Sequence, residues 1–117
     1  TLVCTGGIAR AHVYTLLGPQ VEACLRPLRV NKTFLSTDAV HPDGAIANVI
    51  LEEAVVKQAM IRAAQQVILL ADSSKFEVTG FAKVCDLSEI DVLITDNGLS
   101  EARRAMLQAW PVKVHIV

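Results

Sequence analysis

Short apolar runs alternate with stretches of helical periodicity along these 117 residues. Val67-Ile68-Leu69-Leu70-Ala71 is continuously apolar, the pattern of an interior strand in a parallel sheet covered on both faces. Asp91-Val92-Leu93-Ile94-Thr95-Asp96 is a similar strand that ends in polar residues and Gly98. Thr1 to Thr5 reads as a strand closing on Gly6-Gly7, and His12 to Thr15 as a weaker β-prone stretch. After Gly18-Pro19, residues Val21, Cys24, Leu25 and Leu28 recur at helical spacing, and Pro27 closes that short helix. Lys32 to Thr37 is a further strand, delivering Asp38 to a loop that holds the turn-forming His41-Pro42-Asp43-Gly44. From Ile46 to Gln66 no Gly or Pro interrupts the chain, which predicts the longest helix, largely buried. Gly80 to Cys85 is β-prone, Ser100 caps a helix over Glu101 to Ala109, Pro111 breaks it, and Val112 to Val117 alternates as a last strand. Strands alternating with helices predict an α/β fold with a mainly parallel sheet flanked by helices, one domain over residues 1–117.

Composition sharpens this picture. Hydrophobic residues make up 52% and aromatics only 4%, so the core is expected to consist of Val, Ile, Leu and Ala. Eleven basic against twelve acidic residues, with no block of like charge, leave no basic stripe for reading DNA. The neighbours Arg103 and Arg104 read as a solvated helix face. Cys4, Cys24 and Cys85 are widely separated and lack ligand spacing, so they read as small hydrophobes in a reducing compartment. No apolar run reaches membrane-spanning length and no signal-peptide layout opens the chain, so a cytoplasmic protein with no membrane partner is expected. The strand-like opening Thr1-Leu2-Val3-Cys4, without a starting methionine, suggests part of something longer.

In open parallel sheets, ligands sit beyond the carboxyl ends of the strands. Here those ends are Gly6-Gly7, Thr37-Asp38, Asp72-Ser73-Ser74-Lys75 and Thr95-Asp96-Asn97-Gly98. They offer glycine N–H groups, hydroxyls, one ammonium and several carboxylates, a mixture that suits a sugar phosphate. Lys75, beside the hydroxyls of Ser73 and Ser74, is the candidate for the phosphate, set against a solvated lysine or one paired with Asp72. Asp38 is a candidate acceptor for sugar hydroxyls, set against a turn-forming aspartate. Of Glu52 and Glu53, one could face the Asp43-Gly44 loop as a base, or both could be solvated. His12, His41 and His115 are too scattered for a metal site, and neither a P-loop nor a nucleophile-plus-base signature occurs. No metal or other cofactor is expected.

Leu69-Leu70-Ala71-Asp72-Ser73-Ser74-Lys75-Phe76, followed by Asp91 to Asp96, resembles the signature of the C-terminal domain of DeoR-type repressors of sugar operons. Gly6-Gly7 with Gly18, Phe34 through Gly44, and Glu53-Ala54 through Met60-Ile61 extend the likeness over essentially the whole chain. The resemblance implies a fold related to sugar-phosphate isomerases and coenzyme A transferases, truncated at its N-terminus and lacking the helix-turn-helix. It implies a non-enzymatic domain binding a phosphorylated sugar that changes operator affinity, in a homo-oligomer that meets DNA only through the absent part. Ribose-5-phosphate isomerase has a similar run, which maps onto Asp38, Gly44, Glu53 and Asp72 to Lys75. The effector-binding residues so expected are Gly6, Gly7, Asp38, Gly44, Glu53, Asp72 and Lys75. The alternative is a sugar-phosphate isomerase with Glu53 as general base. Against catalysis, the isomerase's aspartate-rich loop is reduced to Thr37-Asp38-Ala39 and its glycine loop to Asp43-Gly44-Ala45.

Overall fold

A computed structural model describes residues 1–117. The chain opens with a small antiparallel hairpin, β1 (Ile8–Ala9) and β2 (Leu16–Leu17), followed by α1 (Pro19–Leu25). Then come β3 (Val30–Ser36), β4 (Ala39–Val40), β5 (Ala45–Asn48), α2 (Leu51–Ala63) and β6 (Ala64–Leu70). A single 3-10 turn over Ser73–Phe76 leads to β7 (Ala82–Asp86), β8 (Val92–Thr95), α3 (Glu101–Gln108) and β9 (Lys113–Ile116). Strands β3-β6-β8-β9 form a parallel sheet in that order, and β4-β5-β7 form a smaller antiparallel one. The fold is α/β, with a parallel sheet flanked by helices.

Period-2 alternation puts Leu35, Leu69 and Leu93 side by side on one face of the parallel sheet, each in register with the next and each buried. Against them pack Ala54, Met60 and Ile61 of α2, Leu107 of α3, and Val40, Ile46 and Val84 of the antiparallel strands. Phe76 is the one aromatic among the core's fully buried side chains. The opposite face departs from the expectation of burial on both sides: Phe34 is 58% and Leu70 44% exposed. No helix is long and apolar enough to cross a membrane.

Four local expectations are corrected. Thr1 to Thr5 forms no strand, because no neighbour pairs with its backbone, and Leu2 and Val3 are exposed. His12 to Thr15 is the turn between β1 and β2, with His12 at φ 68° and Tyr14 at φ 54°. The helix expected from Ile46 starts at Leu51, since Ala45–Asn48 is captured between β4 and β7 as a buried strand. It ends at Ala63 rather than Gln66, because Ala64 and Gln66 take their places in register with Val30 and Lys32 of β3. Propensity yields here to strand pairing.

Candidate functional site

The carboxyl ends of three strands meet at one edge of the parallel sheet, with Ser36 in register with Leu70 and Leu70 with Ile94. Two polar clusters grow from that edge. The first stands where β3 hands over to the β4–β5 hairpin. Ala39 pairs with Ala47, so the strands return Asn48 to the neighbourhood of Asp38. Asn48, 1% exposed, donates from Nδ2 to Asp38 Oδ2 and to Glu53 Oε2, each at 3.0 Å. Its Oδ1 accepts from Lys57 Nζ at 3.0 Å, and that ammonium also donates to the Ser36 carbonyl at 2.8 Å. Asp38 Oδ2 takes a further bond from the Val49 N–H at 2.8 Å. Glu53 Oε1 is held by the Arg10 guanidinium, an ion pair that ties the β1–β2 hairpin to α2. Burial pushes the Lys57 ammonium down from the ordinary lysine range, while the Glu53 and Asp38 carboxylates push back.

Beside this cluster opens a cleft of about 380 Å³, whose polar end is Glu53, Lys57 and Ser36 and whose walls include Leu17, Val21 and Phe34. Its size is that of a small-molecule pocket.

The second cluster joins the ends of β6 and β8. Asp72 caps the 3-10 turn, its Oδ1 accepting from the Ser74 N–H at 2.9 Å and from the Ser74 hydroxyl. Asp96 accepts from the Ser73 N–H at 2.8 Å and the Gly98 N–H at 2.7 Å, clamping the two loops together. Gly98 lies so close beneath that a Cβ there would stand 2.5 Å from Ser73 Oγ. The bonds from Ser74, helped by the nearby Lys75 charge, hold the Asp72 carboxyl below the usual carboxylate range; the backbone bonds from Ser73 and Gly98 do the same for Asp96. Lys75 is half-buried, and its ammonium forms no hydrogen bond or ion pair within the chain.

Of the residues expected from the sequence, the fold therefore brings Asp38 and Glu53 onto one amide and sets Asp72 and Lys75 on the adjoining strand end. Gly7 lies against Leu17 and Val21 of the cleft wall, whereas Gly6 faces open space. Gly44 is elsewhere, at the tip of the β4–β5 hairpin against Trp110. Of the two alternatives for Glu53, a base facing the Asp43-Gly44 loop or a solvated carboxylate, the structure shows neither: Glu53 is held by Arg10 and Asn48, because Asn48 rather than Gly44 returns to the base of the hairpin. Arg10, Asn48 and Lys57 were not singled out from the sequence. Lys57 follows Glu53 at the i,i+4 spacing of a helical pair, which could have flagged it. Asn48 is a poor helix former within an otherwise apolar run, a second usable signal.

A parallel sheet flanked by helices, with polar clusters at its strand ends and a cleft beside the end of β3, defines a small α/β domain. The chain belongs to the DeoR C-terminal sensor domain family, which matches it over residues 1–97. It is 35% identical, over its whole length, to the HTH-type transcriptional regulator YulB of Bacillus subtilis, covering 45% of that protein. It is 32% identical to the HTH-type transcriptional regulator GlpR of Haloferax volcanii, over 94% of this chain and 43% of the relative. It is also 32% identical to the L-fucose operon activator of Haemophilus influenzae, over 85% of this chain and 40% of the relative. The chain thus spans less than half the length of these relatives.

Proposed function

We propose that this domain binds a phosphorylated sugar at the carboxyl edge of its parallel sheet, and that binding modulates how a DeoR-type repressor holds its operator. DNA is met through a helix-turn-helix outside this chain, and copies of the regulator associate. Asp38 and Glu53 accept sugar hydroxyls, and Lys75 takes the phosphate.

The observation that carries this reading is the pairing of two carboxylates on one buried amide after β3, with an unpaired ammonium after the neighbouring strand β6. The Lys75 ammonium makes no direct hydrogen bond or ion pair within the chain, so it can donate to an anion. β3 and β6 are neighbours in the parallel sheet, so Asp38 and Lys75 follow adjacent strand ends. The operon named in the Haemophilus relative supports a sugar-linked signal. Regulation is favoured over isomerisation because the relatives carry the names of transcriptional regulators.

The test is a panel of sugar phosphates, read by thermal stability, by operator affinity of the intact regulator and by turnover. A ligand at a hundredfold excess over its Kd stabilises by about 2.7 kcal/mol, a shift of several degrees. At least one sugar phosphate is expected to give that shift and to alter operator affinity without being converted. Turnover that disappears in Glu53→Gln would instead establish the isomerase.

A further inference from the structure

Asn48 is among the most completely buried polar side chains of the molecule, at 1% exposure, and every polar bond it makes goes to a residue of one cluster. One amide hydrogen goes to Asp38, the other to Glu53, and the oxygen accepts from Lys57. Because both acceptors lie 3.0 Å from a single nitrogen, the planar amide sets the two carboxylate oxygens about 5 Å apart. Carboxylates that close repel one another. Three groups oppose this: the Asn48 NH₂, the Lys57 ammonium on α2 and the Arg10 guanidinium on the β1–β2 hairpin. Asn48 is the only one of them that touches both acids.

We propose that Asn48 is the positioning residue of the sensing site: it fixes Asp38 and Glu53 in orientation as acceptors for the ligand's hydroxyls. This rests on the sugar-phosphate reading above. Asn48 acts through the two acids and Lys57. A carboxylate at the same position would remove both donors and place a third negative charge beside Asp38, Glu53 and Lys57. Acidification would protonate that added carboxyl, removing its charge and returning one donor.

The experiment is calorimetric titration of the wild-type protein, Asn48→Asp and Lys57→Met. The probe is whichever of ribose 5-phosphate, glucose 6-phosphate and glucosamine 6-phosphate binds wild type. Affinities are compared as the variant-to-wild-type ratio from about pH 8 to about pH 5, so that titration of the probe's phosphate cancels. Asn48→Asp is expected to bind about tenfold or more weakly at pH 8 and to recover toward wild type as the pH falls. Lys57→Met, which leaves the amide oxygen unheld, is expected to bind about threefold or more weakly, and it decides the matter if Asn48→Asp does not fold. A ratio near one for both variants, or a deficit in Asn48→Asp that does not change with pH beside a wild-type Lys57→Met, would overturn the role of Asn48 and leave the sensor reading standing. Failure of wild type to bind any of the three probes would overturn both.

Discussion

At the scale of single residues, the strand ends are organised by carboxylates that accept from backbone N–H groups. Asp96 is the clearest case, with one oxygen on Ser73 and the other on Gly98. Its carboxyl titrates below the ordinary range, so the unfolded chain binds a proton more readily than the folded one. The stability this contributes is fully present above about pH 4, the ordinary aspartate range, and is lost as pH falls through the lower folded value. Asp96→Asn keeps one acceptor and turns an amide NH₂ against the other N–H. Thermal melts are expected to show the variant less stable at neutral pH, with the gap to wild type closing as pH drops below about 4; a gap unchanged down to pH 2 would show that the carboxylate charge does not matter there. Burial, with the Glu89 and Asp86 charges, pushes the Cys85 thiol up to about 12, which leaves it an inert packing group.

At the scale of elements, the legible parts were those whose pattern is local. The apolar runs of β6 and β8, the Ser100-capped α3 and the β3 strand before Asp38 all follow from periodicity and end signals. The β4–β5 hairpin was hidden because Ala45–Asn48 carries no local strand signal; its partners Ala82–Asp86 are far along the chain. That one missed strand is also why Asn48 escaped notice, since an asparagine inside a presumed helix has no reason to meet Asp38. Asp38, Glu53, Asp72 and Lys75 were legible as candidate chemistry, but what joins the first two was not. The hairpin tip packs closely at its far end. Gly44, at φ 84°, sits where a Cβ would fall 2.2 Å from the Trp110 ring. Gly44→Ala combines a left-handed backbone with a collision, and is expected to cost about 2–4 kcal/mol. Chemical denaturation checks this, and a loss below about 0.5 kcal/mol would mean that Trp110 moves aside freely.

At the scale of the whole molecule, the proposed ligand site and the contacts that couple the elements share one edge. Glu53 on α2 is tied through Arg10 to the β1–β2 hairpin and through Asn48 to the antiparallel sheet, so a ligand that engages Glu53 acts on both. We propose that the strand-end edge binds a sugar phosphate, with Lys75 on the phosphate. The most direct test of this claim is calorimetric titration of wild type and Lys75→Ala with a sugar phosphate that binds the wild-type protein. Loss of a charge-assisted hydrogen bond, on the order of 1.5–3 kcal/mol, is expected to weaken affinity roughly ten- to a hundredfold with the fold intact. Equal affinity in the two proteins would contradict the claim and move the phosphate away from Lys75.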